Sequence, residues 1–294
     1  MPAGHLAVEG VSIAFQGLRA LDDVTMSIPP GQIHGLIGPN GAGKTTLFNC
    51  ITGFYEPTSG RVSLDRVPLV GLPVNDVARQ GVSRTFQNIR LFGAMTAIEN
   101  VLVGAHHHDR EGPHPVVRAG RIRAVLGRAR GIPVTLGSAF TELAQAVLRT
   151  PGTRESDRAT VAYARSLLLA VGLGGSENFV ARNLPYGAQR RLEVARALAT
   201  GPRLLLLDEP TAGMNPQEAA EMVALIRRIR DEFETTIVLI EHQMRVVMGV
   251  CEQITVLDYG RKIAEGSPVE IQRDRGVIEA YLGSRAVSTT HGTP

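Results

Sequence analysis

The stretch Gly38-Pro39-Asn40-Gly41-Ala42-Gly43-Lys44-Thr45 constrains this chain more than any other feature, because it has the pattern of a phosphate-binding loop. It follows an apolar run at 32–37 and precedes helix formers that begin at Thr46. Strand, glycine-rich loop and helix in this order turn backbone N–H groups towards an anion at the positive end of the helix. We expect Lys44 to contact the β- and γ-phosphates of a nucleotide and the Thr45 hydroxyl to bind Mg²⁺. The predicted nucleotide-binding residues here are Gly38, Pro39, Asn40, Gly41, Ala42, Gly43, Lys44, Thr45 and Thr46.

A pair of acids far downstream indicates what happens to the nucleotide. Asp208 and Glu209 directly follow four leucines, 204–207, which is typical of a central parallel strand buried on both faces. Open α/β sheets bind their ligands at the carboxyl ends of such strands. We expect Asp208 to reach Mg²⁺, directly or through water, and Glu209 to polarise the water that attacks the γ-phosphate.

Length and composition narrow the class of protein. The chain has 294 residues, enough for one large domain or two modest ones. Its longest apolar runs are only strand length, so we expect no membrane-spanning segment, and the N-terminal residues give no expectation of a secretory signal. With Cys50 and Cys251 as the two cysteines, a disulfide framework is excluded and a reduced, cytoplasmic setting is expected.

The segment Gly112–Thr141 is basic, with five arginines and no acid. Two interpretations stay open: a solvated face, which we favour, and a contact with anionic lipid headgroups or a membrane partner. Nearby histidines, His106, His107, His108 and His114, lie in a glycine- and proline-rich context that favours a solvated loop. We therefore expect no metal site beyond Mg²⁺.

Periodicity along the chain predicts an α/β core that is interrupted by helices. Short β segments are predicted at 6–9, 11–15, 24–28 and 61–65, the last as an edge strand, and further strands at 235–240 and 254–257. Helical spacing runs from about Asn88 to about Thr200, with helices at 161–171 and 189–200. The residues after Ser288 are predicted to be a disordered tail.

With these motifs in place, the chain resembles the ATP-binding cassette (ABC) transporter ATPases, most closely those of branched-chain amino-acid importers. The resemblance runs from Leu6 to Gly283, except between about Ala105 and Thr160. It implies that Phe15 stacks on adenine, that Gln87 in Ser83-Arg84-Thr85-Phe86-Gln87 binds Mg²⁺ or the attacking water, and that His242 contacts the γ-phosphate. The segment 212–215 would occupy the loop that crosses the dimer interface.

A further motif of the family binds the ATP of the partner subunit, and this chain departs from it. The consensus is Leu-Ser-Gly-Gly-Gln, and the residues in its place are Leu184, Pro185, Tyr186, Gly187 and Ala188. Tyrosine at the third position is common in the importer type. Pro185, in the place of the serine, has neither a hydroxyl nor an N–H group, although it suits a helix start. Gly187 still offers its backbone.

The resemblance implies a P-loop α/β fold with an N-terminal antiparallel β part and an inserted α-helical subdomain. We expect one nucleotide-binding domain: a core at about 6–87 and 200–265, a helical subdomain at about 88–199 with an atypical basic stretch at about 105–160, and a C-terminal helix and tail at about 266–294.

The implied function is transport-coupled ATP hydrolysis with ATP and Mg²⁺, at the cytoplasmic face of the plasma membrane. The implied partners are two membrane permeases, a sister ATPase (a heterodimer is favoured over a homodimer) and a substrate-binding protein, and no nucleic acid. Alternatives are an ATPase for urea transport or lipopolysaccharide export, a soluble ABC protein, and a P-loop kinase or GTPase. The last lacks support because no Asn-Lys-x-Asp guanine motif is found.

Overall fold

The computed structural model describes residues 2–105 and 153–288, with side chains for 2–105 and 158–282. The chain divides into two compact units, Met1–Arg90 with Gly201–Pro294, and Leu91–Thr200. The basic segment 112–141, the histidines at 106–108 and 114, and the predicted tail after Ser288 lie outside the described residues.

The elements of the first unit are strands with short and medium helices between them. In chain order the strands are β1 (Leu6–Phe15), β2 (Leu18–Ile28), β3 (Ile33–Ile37), β4 (Ser59–Leu64), β5 (Val67–Pro68), β6 (Val82–Arg84), β7 (Leu204–Asp208), β8 (Thr236–Ile240), β9 (Gln253–Asp258) and β10 (Arg261–Gly266). The helices and the 3₁₀ turn of both units are α1 (Lys44–Ile51), α2 (Val74–Arg79), α3 (Ala97–Ala105), α4 (Thr153–Ala170), the 3₁₀ turn Ala181–Asn183, α5 (Tyr186–Leu198), α6 (Pro216–Phe233), α7 (Met244–Val250), α8 (Pro268–Arg273) and α9 (Arg275–Ser288).

A six-stranded sheet in the order β10-β9-β3-β8-β7-β6 forms the centre of the first unit. Its neighbours pair in parallel except for β10, which is antiparallel to β9. All residues of β3, β7 and β8 are buried, which is typical of parallel strands covered on both faces. The prediction that Leu204–Leu207 forms a central buried strand is confirmed.

The antiparallel part is a four-stranded sheet in the order β2-β1-β4-β5. Two predictions about it are wrong in detail. The segments 6–9 and 11–15 are one strand, whose pairing with β2 shifts register between Val8 and Val11, around Gly10 with φ of 61°. The segment at 61–65 is not an edge strand, because a tight turn at Asp65-Arg66 returns β5 to pair with β4. Pro68 has no N–H group to donate, which suits the true edge strand β5.

One continuous apolar core connects the two sheets of this unit through α1. Leu6, Val8 and Val62 of the antiparallel sheet belong to the same buried cluster as Phe48 of α1 and Leu204 of β7. Each large apolar side chain buried in this way contributes roughly 1.5–3 kcal/mol. The start of α1, and with it the phosphate loop, is therefore held by burial on two sides.

The second unit is helical in its described part. Helix α3 packs against α4 and α5, and a Cβ atom at Gly104 would come within 2.3 Å of the Arg196 carbonyl oxygen, so α3 and α5 approach closely there. The helix predicted at 161–171 is confirmed as part of α4. The helix predicted to begin at Gln189 begins earlier, at Tyr186, because Pro185 with φ of −55° and ψ of 152° is its N-cap.

The predicted fold class, an α/β P-loop fold with an N-terminal antiparallel β part and an inserted helical part, is confirmed. Among the helices of residues 2–105 and 153–288, none combines the length and the apolar character needed to cross a bilayer.

A buried histidine in β3 gives the fold a dependence on pH. His34 is 1% exposed, and its Nε2 lies 2.8 Å from the Thr255 hydroxyl. Burial lowers the pKa of His34 from 6.5 to about 4, with smaller opposing effects of Glu265 and Lys262. The folded chain thus keeps His34 neutral, while the unfolded chain protonates it below about pH 6.5. Stability from this residue is present above pH 6.5 and is lost as the pH falls towards 4.

We therefore expect the free energy of unfolding to drop by about 2 kcal/mol from His34 alone between pH 7 and pH 5, on the scale of 1.36 kcal/mol per pKa unit. Urea unfolding at both pH values measures it. The matched variant His34→Gln cannot titrate and should lose correspondingly less stability over this range. An equal drop in both proteins would contradict the assignment.

Candidate functional site

The phosphate loop connects a buried strand to a helix. β3 ends at Ile37, α1 begins at Lys44, and the residues from Asn40 to Thr46 line a cleft of about 540 Å³. The first N–H groups of a helix have no acceptor within the helix. At the start of α1, Leu47 N donates to the Gly43 carbonyl oxygen at 2.9 Å. The N–H groups of Lys44, Thr45 and Thr46 are therefore available to an anion in the cleft, whereas that of Ala42 donates to the Pro39 carbonyl oxygen at 3.2 Å.

Two of the loop glycines are required by close packing and by backbone conformation. Gly38 has φ of 150°, and a Cβ atom there would lie 2.0 Å from the Leu257 carbonyl oxygen. Gly43 has φ of 98°, and a Cβ atom there would lie 2.6 Å from the Ala20 carbonyl oxygen. A side chain at either position would push the loop away from the strands that support it.

Lys44 is the buried cation of the loop, at 6% exposed. Its Nζ donates to the carbonyl oxygens of Gly38 at 2.7 Å and Pro39 at 2.8 Å. Burial lowers the pKa of Lys44, and the negative charges of Glu209 and Asp208 act in the opposite direction. The ammonium group is thus held inside the loop and within electrostatic reach of both predicted acids.

Asp208, at the end of β7, is buried and paired with an arginine. Arg84 Nη2 donates to Asp208 Oδ2 at 2.7 Å, and Arg84 Nη1 donates to the side-chain oxygen of Asn49 in α1 at 2.6 Å. The guanidinium also lies over the rings of Phe48 and Phe86. Arg84 therefore connects the segment before Gln87 to α1 and to β7.

Glu209 stands at the centre of a hydrogen-bonded group in the cleft. His242 Nε2 lies 2.7 Å from Glu209 Oε1, and Gln87 Nε2 donates to Glu209 Oε2 at 3.2 Å. The backbone of Glu209 has φ of 48°, a conformation that is costly for a residue with a side chain. It is held there by a hydrogen bond from Glu209 N to the Ile240 carbonyl oxygen at 2.9 Å.

A second carboxylate, that of Glu241, connects the two segments that carry Glu209 and His242. It is 2% exposed and accepts hydrogen bonds from both the N–H and the hydroxyl of Thr211. It also accepts from His242 N at 3.1 Å. The segments after β7 and after β8 are thereby joined to each other by hydrogen bonds.

The predicted site residues divide into those that line the cleft and those that support it. Besides 40–46, the lining includes Gln87, Glu209 and His242, together with Leu18, Arg19, Ala20, Ile240 and Tyr259. Gly38, Pro39, Phe15 and Asp208 are not among the lining residues. Asp208 is buried and paired with Arg84, and Phe15 packs edge-on against Tyr55 with ring centroids 5.1 Å apart.

The predicted partner-binding motif lies in the second unit, at the start of α5. Leu184, Gly187 and Ala188 are buried, whereas Tyr186 is exposed. Arg190 donates to the Tyr186 hydroxyl at 2.9 Å from Nη2, and Gln189 Nε2 donates to the Leu184 carbonyl oxygen at 2.8 Å. The N–H groups of residues 186–188 fall in the first turn, where a helix supplies no acceptor.

Four residues at or near the site were not predicted from the sequence: Arg84, Thr211, Glu241 and Tyr259. Arg84 and Asp208 are 124 positions apart, so only the pairing of β6 with β7 brings them together. No local signal marked Arg84, because arginines in other strands of this chain, such as Arg61 and Arg261, are exposed. In the described part of the chain, no cluster of three or more His, Cys, Asp or Glu residues has the arrangement of a metal site.

Comparison with known proteins places these residues in a family context. The sequence pattern of the ABC transporter family matches residues 21–212, and that of branched-chain amino acid ATP-binding cassette transporters matches residues 261–287. The high-affinity branched-chain amino acid transport ATP-binding protein BraF of Pseudomonas aeruginosa is 42% identical over 278 residues, which are 95% of this chain and 97% of BraF. LivG of Escherichia coli K12, a protein of the same description, is 42% identical with the same coverage.

Solved structures agree with the sequence comparison. The ATP-binding cassette MJ1267 of an ABC transporter, in its ADP conformation, superimposes with a TM-score of 0.73 at 27% identity, over 95% of this chain and 99% of that one. A nucleotide-free ATP-binding cassette from an ABC transporter gives the same TM-score and identity, over 95% and 98%.

The pairing of Arg84 with Asp208 leads to a stability prediction. Arg84→Met keeps an apolar stem but leaves the buried Asp208 carboxylate without its cation, which typically costs about 3–5 kcal/mol. The measurement is urea unfolding at pH 7. The matched control is Arg79→Met, since Arg79 pairs with Asp76 on the surface, where an ion pair contributes about 0–1 kcal/mol.

Adding Asp208→Asn to Arg84→Met should recover part of the loss, because no uncompensated buried charge remains. If the Arg84 and Arg79 variants lose equally little free energy of unfolding, the buried pair contributes no more to stability than the surface pair.

Proposed function

The chain belongs to the ABC transporter family of ATP-binding proteins, and from that premise we propose that it is the ATP-hydrolysing subunit of an importer for branched-chain amino acids. The observation that carries the proposal is the contact of Glu209 with His242 and Gln87 in the cleft of the phosphate loop. The substrate class follows from the relatives, since BraF and LivG match nearly the whole chain and a branched-chain transporter pattern matches its C-terminal part.

The phosphates of ATP bind at the N-terminal end of α1. The free N–H groups of the loop and of the first helical turn donate to phosphate oxygens, and the Lys44 ammonium neutralises charge on the β- and γ-phosphates. Lys44 Nζ exchanges its two loop carbonyls for phosphate oxygens. The site is preorganised because Lys44 is already inside the loop before the nucleotide binds.

The residues around the cleft fit a magnesium ion. Thr45 supplies a hydroxyl, Gln87 an amide and Asp208 a carboxylate, and these hard oxygen donors suit Mg²⁺. Thr45 and Gln87 line the cleft, whereas Asp208 does not line it and is paired with Arg84, so Asp208 would contact the ion through water. When bound, Mg²⁺ neutralises charge on the β- and γ-phosphate oxygens.

Glu209 is the general base of hydrolysis. Its carboxylate lines the cleft and accepts the proton of the attacking water, while Gln87 and His242 each hold one of its oxygens. His242 then has a second task, a hydrogen bond to the γ-phosphate oxygen. Glu241 positions the backbone of His242 by accepting a hydrogen bond from its N–H group.

Two such ATPase subunits form a head-to-tail pair with one ATP at each interface. Each ATP lies between the phosphate loop of one subunit and the motif Leu184–Ala188 of the other, whose first-turn N–H groups suit an anion. Hydrolysis reopens the pair, and two membrane permeases convert the motion into alternating access. A substrate-binding protein delivers the amino acid, and the ATPase is peripheral at the cytoplasmic face of the membrane.

The second unit carries a surface suited to the permeases. Phe92, Met95 and Phe179 are 48%, 38% and 58% exposed, and a backbone hydrogen bond from Ala97 to Phe179 ties the segments that carry them. Exposed apolar side chains grouped in this way are typical of protein–protein contacts. We assign this surface to the permease contact.

Replacing the general base tests the function directly. Glu209→Gln should still bind ATP, while hydrolysis by the assembled transporter and ATP-driven leucine uptake into proteoliposomes fall by about 10²–10⁴-fold. Lys44→Ala should instead weaken ATP binding, because it removes a charge from the phosphates. The matched control is Glu221→Gln, the same chemical change on the exposed face of α6.

Normal turnover by the Glu209 variant would remove this residue from the mechanism. Uptake of urea in place of leucine, isoleucine and valine would retain the ATPase but reject the substrate class.

Because proline replaces the serine of the family motif at position 185, we expect the two ATP sites of the transporter to differ in hydrolysis rate. In a homodimer both sites would lack the serine hydroxyl of the family motif, and a hydrogen bond to a charged group is worth about 1.5–3 kcal/mol. With an intact sister subunit, only one site is affected. Pro185→Ser should therefore raise the ATPase rate at saturating ATP more in the purified single chain than in the assembled transporter.

Pro185→Ala is the control, because it restores the N–H group at this position without the hydroxyl. Serine is also a good N-cap for α5, so unfolding is followed in parallel to separate stability from activity. Rapid hydrolysis by the unchanged single chain, with no gain on introducing serine, would argue for an active homodimer.

A further inference from the structure

The turn between β9 and β10 contains Tyr259 at a position with positive φ, where tyrosine is unfavourable. Asp258 pairs with Arg261, so Tyr259 and Gly260 form a two-residue hairpin loop, with φ of 44° and 78°. Two-residue loops with positive φ at both positions favour Asn followed by Gly. A tyrosine at the first position is strained, and such strain is a reason to ask what the side chain does.

Burial does not account for Tyr259 either. Its side chain is 86% exposed. Aromatic rings normally contribute to a fold by burying a large apolar area. This tyrosine therefore supplies neither favourable turn geometry nor core packing to the folded chain.

The turn is attached firmly to the phosphate loop. Gly260 N donates to the Ala42 carbonyl oxygen at 3.1 Å, and Asp22 N donates to the Gly260 carbonyl oxygen at 2.8 Å. A Cβ atom at Gly260 would lie 2.7 Å from the Ala20 carbonyl oxygen, so the turn packs tightly against β2. In addition, Arg261 forms an ion pair with Asp22. The backbone of Tyr259 is thereby fixed relative to the loop.

Tyr259 also lines the cleft in which the phosphates are proposed to bind. The lining is polar at Lys44, Thr45 and Thr46, whereas Leu18 and Tyr259 supply exposed apolar surface. ATP has the same division, with a charged triphosphate and an aromatic base. Phe15, which the family resemblance assigns to adenine, is 41% exposed and packs edge-on against Tyr55, so Tyr259 supplies an aromatic ring in addition to it.

We infer that the ring of Tyr259 is an additional base-binding surface for ATP, beside Phe15, on which the adenine stacks when the phosphates occupy the loop. The inference rests on ATP binding at this cleft. Stacking needs only the flat face of a base, so GTP should profit from Tyr259 as ATP does, whereas a triphosphate without a base should not.

Equilibrium titration of the purified chain with MgATP and with magnesium tripolyphosphate tests the inference. Tyr259→Asn should weaken ATP binding by about 5- to 100-fold, the range that stacking on an aromatic residue provides, with tripolyphosphate binding unchanged. Tyr259→Phe keeps the ring and should bind ATP like the unchanged chain. Because asparagine suits the turn, thermal unfolding of the Asn variant should occur at the same or a higher temperature.

The matched control uses the hairpin between β4 and β5. Its two-residue loop, Asp65-Arg66, has φ of 49° and 69°, and Arg66 does not line the cleft. Arg66→Gly relieves strain in an equivalent turn and should leave ATP affinity unchanged.

A second measurement observes the contact itself. The chain has no tryptophan, so Tyr259→Trp introduces a single fluorescent reporter. Its emission should be quenched by ATP and GTP and should not respond to tripolyphosphate.

The outcomes separate this inference from the proposed function. No ATP binding by the unchanged chain would remove both. ATP binding that is equal in the unchanged chain and in Tyr259→Asn would overturn the inference while the ATPase remains. Equal loss of ATP and tripolyphosphate binding would also overturn it, because the substitution would then act on the phosphate loop and not on the base.

Discussion

The rest of this site depends on three adjacent parallel strands, β3, β8 and β7, whose carboxyl ends lie at the same height in the sheet. Leu36 of β3, Ile240 of β8 and Asp208 of β7 are aligned in register across the sheet. The phosphate loop, His242 and Glu209 therefore leave the sheet at one edge, where open α/β sheets bind ligands. The register is strongly specified because all three strands are buried, and a slip by one residue would turn every side chain to the other face.

Opposite charges hold that edge together and also prepare it for chemistry. Lys44 is buried within reach of Asp208 and Glu209, whose negative charges counteract the effect of burial on its pKa. Arg84 balances Asp208 and joins it to α1 through Asn49. Each charge thus has a partner before the nucleotide binds, so the binding of phosphates exchanges one set of favourable contacts for another and does not have to create order.

Two residues that line this cleft have strained backbones. Glu209 and Tyr259 both have positive φ, at 48° and 44°, and both line the cleft. Each is held by hydrogen bonds of its segment to a neighbouring strand or loop, from Glu209 to Ile240 and from Gly260 to Ala42. Strained residues persist only where the surrounding structure over-determines them, and they cluster at functional sites. This agrees with the roles that we propose for Glu209 and Tyr259.

The sequence by itself determined the fold class, the family and the local motifs: the phosphate loop at 38–45, the buried strand before Asp208 and the existence, though not the start, of the helix that contains Gln189. These are carried by consecutive residues, whose conformational preferences act over a few positions. Only the tertiary structure decided that Arg84 balances Asp208, that Glu241 binds Thr211 and that Tyr259 lines the cleft. Those relations join residues 30 or more positions apart, for example 30 for Thr211 and Glu241 and 124 for Arg84 and Asp208. They depend on strand order and on the close packing of turns, which no local pattern of residues specifies.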